Sequence, residues 1–197
     1  MRSIWQMLVL LLVVGIGSYS MAQVEKPVPT EKPVPTEITI GRVLGTSVAQ
    51  VQRILLPMAM AMPEDKYGYA PTNGEFKGVR TFGQQLKHVA ATNFIYASSI
   101  LGEKPPVEVG EEGEGPTSLK TKKEILNYLN DSLVYVQKAV ATIDAKNIVS
   151  PIKSPFGEGQ ATRLAMTNLI IGHCYDHYGQ MVEYLRLNEI VPPASQR

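Results

Sequence analysis

The sequence predicts an all-α protein that folds as a four-helix bundle. Four segments carry apolar residues at the alternating three- and four-residue spacing of an amphipathic helix. Two of them open with a capping box, in which a threonine is followed three residues later by glutamine or glutamate. No segment shows sustained alternation with a period of two, so essentially no sheet is expected. Four such helices in one small domain can bury their apolar stripes together only as a bundle.

Residues 1–22 predict a secretory signal peptide. Arg2 provides a positive start, an apolar run follows at 7–16, and the Ser-Met-Ala at 20–22 has the small-x-small pattern of a cleavage site. The run is shorter than the about 20 residues that cross a bilayer, so a retained membrane anchor is the weaker interpretation. We expect export to the periplasm or the extracellular space, with a mature chain that begins at Gln23 and has no membrane span.

A proline-rich linker is predicted at residues 23–40. The hexapeptide EKPVPT occurs at 25–30 and again, unchanged, at 31–36. Its prolines lack the backbone N–H groups that helix and sheet use, and they favour extended polyproline II. We interpret the repeat as a semi-rigid spacer, with a binding segment as the alternative.

The remaining residues, 41–197, predict one domain large enough to bury a substantial core. The whole chain has a formal net charge of +1 and a pI of about 7.8. Its lysines and arginines are scattered, and no basic stripe accompanies the aromatic residues. This distribution gives no electrostatic basis for binding nucleic acid or anionic lipid.

The first predicted helix has the clearest periodicity. Its apolar residues, three and four positions apart, are Leu44, Val48, Val51, Leu55, Met58 and Met62. Pro57 lies within this helix and is expected to kink or shorten it, because proline lacks the backbone N–H and clashes with the preceding turn.

The second helix is predicted from the capping box Thr81-Phe82-Gly83-Gln84 to Leu101, just before Gly102. Its apolar line consists of Phe82, Leu86, Val89, Ala97 and Ile100, with Asn93 set among them.

The third helix begins at a second capping box, between Thr121 and Glu124, and continues to Ile143. The fourth spans roughly 160–188 and carries a mixed apolar and polar face. The residues of that face are Met166, Leu169, Ile170, His173, His177, Gln180, Met181 and Tyr184.

A long connection, residues 102–117, separates the second and third helices. Extended at about 3.3 Å per residue, it could cross a helix ~30 Å long, so these two helices could run parallel. Glycine and proline intersperse its glutamates without ligand spacing, so a solvated loop is favoured over a cation site. The glutamates are Glu103, Glu108, Glu111, Glu112 and Glu114.

His173 and His177 are the most informative pair in the chain. Residues four apart share a helix face, so both rings can point at one spot. The pair lies between Ile170 and Met181, in the middle of the stripe that faces the other helices. Buried imidazoles need polar partners, which a shared cation or ordinary hydrogen bonds would supply.

The chain has only one further histidine, His88, in the second helix. Its helical neighbours are Gln84, Thr92 and Ile95, so it lies to one side of the apolar line. A site at the rim of the bundle would tolerate that position. Three imidazoles with open coordination positions suit a catalytic metal more than a structural one.

Several strings of this sequence resemble the DinB/YfiT-like family. The string HCYDHYGQ at 173–180, followed by YLRLN at 184–188 and IVPP at 190–193, is similar to the family's closing helix. MPEDKYGYAPT at 62–72 resembles the segment between its first two helices, and LKHVA at 86–90 resembles its second-helix histidine motif. The likeness extends over essentially the whole domain, from about residue 43.

This resemblance implies a four-helix bundle of DinB/YfiT type with a long crossover between helices two and three, commonly as a homodimer. It also implies one divalent metal ion bound through His88, His173 and His177. Zinc, nickel and iron are the ions we expect, and imidazole also suits copper.

The family pattern often has an acidic residue where this chain has Cys174. That residue points about 100° away from His173 around the helix, so we interpret it as packing, with a thiolate ligand as the alternative. Asp176 could orient a histidine from outside the coordination sphere or be exposed to solvent. Gln180 could hydrogen-bond a water on the metal or pack as an amide between helices.

Three classes of function remain open on the sequence. Some relatives resembling this chain are thiol-dependent transferases, isomerases or hydrolases, which favours a metal-dependent enzyme acting on an unknown small molecule. A metal-binding module without turnover is the second class, and a helical binding protein whose histidines line an apolar pocket is the third. No H-E-x-x-H glutamate and no Ser–His–Asp arrangement accompanies the histidines, so the sequence does not decide whether the protein is an enzyme.

Overall fold

The secondary structure of this protein is dominated by four long helices. A computed structural model describes residues 37–72 and 78–196, so the predicted signal peptide and most of the proline-rich linker lie outside the described residues. The long helices are α1 (Ile40–Ala61), α2 (Phe82–Leu101), α3 (Lys122–Val140) and α4 (Arg163–Leu187). Short 3-10 helices occupy Glu64–Lys66, Glu111–Gly113 and Pro193–Ser195. Two strands, β1 (Pro151–Lys153) and β2 (Gln160–Thr162), pair as an antiparallel hairpin. The all-α four-helix prediction is confirmed, with this hairpin as a small addition.

Both predicted capping boxes are formed. The Thr81 hydroxyl accepts from the backbone N–H of Gln84, whose side-chain oxygen accepts in return from the N–H of Thr81. Thr121 and Glu124 make the same reciprocal pair at the start of α3. Each box satisfies two backbone donors that have no partner within the helix. These contacts fix where α2 and α3 begin.

The first helix ends later than Pro57 suggests. α1 passes through the proline and ends at Ala61. Lys122 supports that end, because its Nζ donates to the carbonyl oxygens of Met60 and Met62 at 2.7 Å each. The lysine at the start of α3 therefore satisfies carbonyls that the end of α1 leaves without a partner.

Two other helix boundaries differ from the predicted ones. α3 ends at Val140, so Ile143, although buried, belongs to the turn that follows the helix. α4 begins at Arg163 instead of residue 160, because 160–162 pair with β1. Burial alone does not distinguish these residues from helical ones.

Each long helix packs against two others. α1 and α2 each contact both α3 and α4, which places α1 and α2 at diagonal corners. Along the α2–α3 interface, Gly83 lies near Ile125, and the Ser98 hydroxyl bonds the Tyr135 hydroxyl at 3.0 Å. Residue numbers rise together along this interface, so α2 and α3 are parallel, which the length of the crossover allows.

The apolar core runs along the centre of the bundle. The largest fully buried side chains come from all four helices, and they are Phe82, Leu55, Met58, Met62, Leu86, Ile100, Leu129, Leu133, Ile170, Met181, Leu185 and Val48. Within the described residues, no helix has both the length and the apolar character needed to cross a membrane. The histidines lie beside this core, where α2 and α4 face each other.

Candidate metal centre

The structure brings all three histidines together between α2 and α4. Nε2 of His173 lies 3.0 Å from Nε2 of His177 and 3.2 Å from Nε2 of His88. One ligand atom from each ring can be chosen so that all lie within 4.8 Å of one another. The predicted convergence of His88 with the α4 pair is therefore confirmed.

His88 is held by the crossover between α2 and α3. Its Nδ1 donates to the backbone carbonyl oxygen of Gly113 at 2.9 Å. A carbonyl oxygen only accepts hydrogen bonds, so the neutral ring must carry its proton on Nδ1. The crossover thereby leaves Nε2 of His88 unprotonated and directed at the other two histidines.

The crossover loop reaches His88 through an unusually tight turn. Gly110 and Gly115 both have positive φ angles, of 72° and 78°. A Cβ on Gly110 would collide with the Gly115 backbone, and a Cβ on Gly115 would lie 2.8 Å from Cβ of Lys87. Lys87 also donates from Nζ to the carbonyl oxygen of Pro116 at 3.0 Å. Only glycine fits these two positions, which place the Gly113 carbonyl oxygen within hydrogen-bond distance of Nδ1 of His88.

His173 has a partner on α2. Its Nδ1 lies 3.3 Å from the hydroxyl oxygen of Thr92. That hydroxyl lies nearer to the carbonyl oxygens of His88 and Val89, at 2.9 and 3.0 Å, than to His173. With its one proton on either carbonyl, Thr92 accepts from His173, and this ring then carries its proton on Nδ1.

His177 completes the set through a buried amide. Its Nδ1 lies 2.5 Å from Oε1 of Gln85, and both side chains are almost completely buried. With Nδ1 as the donor, the third ring presents an unprotonated Nε2 to the centre as well. Each histidine of the cluster is thus oriented by a hydrogen bond at Nδ1, which is how metal-binding histidines are usually held.

The donor set fits a metal ion. The Nε2 lone pair of His173 is at contact distance from those of His88 and His177, where like lone pairs repel, and a cation between the rings would remove that repulsion. Nitrogens bound to one ion at about 2.0–2.1 Å lie roughly 2.9 Å apart at a right angle and about 3.4 Å apart at the tetrahedral angle. The two measured separations, 3.0 and 3.2 Å, fall between these limits.

The histidines are also in the protonation state that a metal requires. Burial, together with the neighbouring imidazoles, lowers the pKa of His173 to about 3 and that of His177 to about 4. Burial likewise lowers the pKa of His88 below its usual value. All three rings are therefore neutral at pH 7, with lone pairs available for coordination.

Cys174 points away from this centre. Its thiol is 1% exposed and donates to Oδ1 of Asn93 at 3.4 Å. Asn93 in turn donates to the Ser132 hydroxyl at 3.2 Å. Burial raises the pKa of the thiol to about 12, so the thiolate form is strongly disfavoured. These contacts favour packing over coordination.

The variant Cys174→Ser is accordingly expected to keep its full metal content, because Ser can make the same hydrogen bond to Asn93. Any change in affinity should be smaller than the about 10-fold that loss of a ligand's hydrogen-bond partner can cause. Metal analysis of the purified variant beside the wild type measures both. A drop in stoichiometry would instead identify the sulfur as a ligand.

Asp176 and Gln180 lie on the surface of α4 and connect to the histidines through Gln85. Both are exposed, and Gln180 donates from Nε2 to Oδ2 of Asp176 at 2.9 Å. Gln180 connects to the centre through Gln85, which donates to its Oε1 at 3.0 Å. Gln85 was not among the predicted site residues, although an amide beside the apolar line of α2 was a visible signal.

Glu114 is a second residue whose role the sequence does not reveal. The loop was expected to be solvated, but Arg80 binds this carboxylate with two hydrogen bonds. One Glu114 oxygen also lies 3.7 Å from Nδ1 of His88. The bonds from Arg80 lower the pKa of Glu114, and the guanidinium is close enough to lower the pKa of all three histidines. An ion pair therefore lies at the edge of the histidine cluster.

Comparison with known proteins agrees with this architecture. A crystal structure of a conserved protein from Enterococcus faecalis superposes with a TM-score of 0.61, covering 77% of this chain and 98% of that one. At 14% identity, the likeness shows the fold alone. No curated protein matches this chain. The family model of the DinB superfamily matches residues 47–181, more than half of the chain and all three histidines. The chain therefore belongs to the DinB superfamily.

Proposed function

We propose that this protein binds one divalent metal ion through His88, His173 and His177 and uses it to act on a small molecule, as a hydrolase or a thiol-type transferase. The observation that carries the proposal is the convergence of three neutral imidazoles, each with Nδ1 held by an acceptor and Nε2 free. Hydrogen bonds alone would not require three lone pairs to face one point.

The proposed ion is zinc, nickel or iron. Neutral imidazole is a good ligand for all three, and for copper as well. Three protein ligands leave coordination positions for water or substrate, as in catalytic sites and unlike closed structural sites. His88 and His173 are only partly buried, which supports access to the centre from solvent.

When bound, such an ion would supply Lewis acidity and lower the pKa of a coordinated water or thiol. The protein's own contribution is to fix the three rings. His88 is held by the backbone of the crossover, His173 by the hydroxyl of Thr92 on α2, and His177 by the amide of Gln85. A rigid, preformed set of donors favours binding because little ordering is needed.

A metal-binding module without turnover is the second candidate. It is favoured by the state of the carboxylate nearest the cluster. A general base in an enzyme should be free to accept a proton near the reacting atoms. Glu114, a carboxylate at the edge of the cluster, is held by Arg80, which lowers its pKa and weakens it as a base.

Metal analysis of protein purified without an affinity tag tests the proposal. We expect close to one divalent ion per chain, with uptake restored after chelation. The loaded protein would then be assayed for ester or amide hydrolysis and for thiol transfer. Turnover that disappears with the chelator supports the enzyme, and binding without turnover supports the module. Absence of binding at micromolar metal concentration would contradict both.

We also propose that the protein is exported after cleavage behind Ala22. The proposal rests on the signal-like residues 1–22 and on the proline-rich repeat that follows them. Cell fractionation and N-terminal sequencing are expected to give a chain that starts at Gln23, outside the cytoplasm. Recovery of the full-length chain in the cytosol would contradict this prediction.

A further inference from the structure

A continuous hydrogen-bond chain leads from the centre of the histidine cluster to the protein surface. His177 donates from Nδ1 to Oε1 of Gln85, at 2.5 Å. Gln85 donates from Nε2 to Oε1 of Gln180 at 3.0 Å, and Gln180 donates to Oδ2 of Asp176 at 2.9 Å. Four side chains from two helices therefore form one directional series that ends on an exposed carboxylate.

The carboxylate fixes the direction of the whole series. An ionised carboxylate only accepts hydrogen bonds, so Gln180 must turn its NH2 group towards Asp176. Its oxygen then faces Gln85, which must present its own NH2 group to Gln180 and its oxygen to His177. Nδ1 of His177 must consequently carry the ring proton. The negative charge of Asp176 thus sets the orientation of both glutamine amides and, through them, the tautomer of His177.

The three histidines differ in the group that holds Nδ1. His88 is held by a backbone carbonyl, and His173 is held by a hydroxyl whose proton goes to a backbone carbonyl. A side-chain substitution cannot remove the carbonyl that holds His88, although it could remove the Thr92 hydroxyl that holds His173. The tautomer of His177 depends on a series of side chains, and the one in direct contact is Gln85, which is 2% exposed.

We propose that Gln85 is a positioning residue that holds His177 with its proton on Nδ1 and its Nε2 lone pair towards the metal position, and that Gln180 and Asp176 set the direction of the Gln85 amide. The inference rests on the proposed metal-binding function for its consequence, but the tautomer itself is a property of the metal-free protein. Loss of such a partner typically weakens metal binding by about 10–100-fold.

The variant Gln85→Leu tests the inference, because it keeps the approximate size of the side chain and removes the acceptor. In metal-free protein labelled with nitrogen-15, two-bond proton–nitrogen spectra of the histidine rings report each tautomer. We expect wild-type His177 to be in the Nδ1–H form and the variant to populate the Nε2–H form. Chelator competition should show an affinity for zinc lower by about 10–100-fold, with the stoichiometry unchanged.

Two further variants separate positioning from general damage to the fold. Gln85→Glu keeps an acceptor for His177 and should restore both the Nδ1–H form and the zinc affinity. Gln180→Leu alters an exposed side chain, so it should fold even where Gln85→Leu does not, and it should loosen the Gln85 amide and give a mixture of His177 tautomers. The control is Gln52→Leu, a part-buried amide of α1 that bonds Asn130 and should change neither readout.

The outcomes distinguish this inference from the proposed function. If His177 keeps its Nδ1–H form in Gln85→Leu, and zinc affinity falls by less than the about 10-fold lower bound, Gln85 is not a positioning residue. If the wild type binds no metal but its His177 tautomer still depends on Gln85, the positioning role stands and the metal-binding function is wrong.

Discussion

Replacing His173 or His177 by Ala is expected to abolish stoichiometric metal binding. Each ring supplies one of three Nε2 atoms that lie 3.0–3.2 Å from a neighbour in the cluster. The affinity should fall by more than the about 100-fold that can follow loss of a ligand's hydrogen-bond partner, because here a ligand itself is lost. His88→Ala should act in the same direction, although the pair on α4 could retain some metal.

Thermal unfolding with and without metal measures this effect independently of any activity. An ion present at 100 times its Kd stabilises the folded state by about 2.7 kcal/mol, so the wild type should melt at a higher temperature when loaded. The His173→Ala and His177→Ala variants should show no such shift. Asn168→Ala, at an exposed position of α4, is the control and should keep the full response. A normal metal-dependent shift in either histidine variant would contradict the proposed ligands.

Replacing Phe82 by Ala is expected to give the largest loss of stability among single core substitutions near the site. The ring is fully buried at the start of α2 and lies 5.4 Å from the Tyr67 ring and 6.5 Å from the Tyr184 ring, between centroids. Truncation of a buried Phe leaves a cavity and typically costs about 3–5 kcal/mol. For a chain of this size, that loss lowers the melting temperature by on the order of 10 °C.

Chemical denaturation of both proteins gives the free energy of unfolding directly. Val134→Ala is the control, because Val134 is an apolar residue of α3 that is 55% exposed and should change stability by no more than about 0.5 kcal/mol. A loss below about 1 kcal/mol for Phe82→Ala would show that the neighbouring tyrosines refill the space, contrary to this prediction.

The helices of this protein were predictable because their signals are local. Two capping boxes mark the starts of α2 and α3, and Gly102 marks the end of α2. The length of the crossover showed that α2 and α3 could run parallel, without requiring it. The hairpin at 151–162 was not predictable, since its three-residue strands are too short to show alternation. The pairing of 160–162 with β1 also explains why α4 starts later than its apolar pattern suggests.

The candidate site was predictable only in part, because only some of its signals are local in the sequence. The spacing of His173 and His177 places them on one face of a helix, and this local geometry needs no knowledge of the fold. The resemblance to a family added His88, whose position beside the apolar line of α2 was ambiguous. Gln85 and Glu114 were missed because their contacts, to His177 and Arg80, depend on how separate segments pack.

The contact between the crossover and His88 has a consequence for how this protein can vary in length. Exposed loops are usually the places where a chain tolerates inserted or deleted residues. Residues 104–107, which are mostly exposed, fit that rule. From Gly110 to Pro116, however, one added residue would move the carbonyl that faces His88 Nδ1 and disturb a turn that only glycine can make. Length changes in the crossover should therefore be accepted at residues 104–107 and rejected between Gly110 and Pro116.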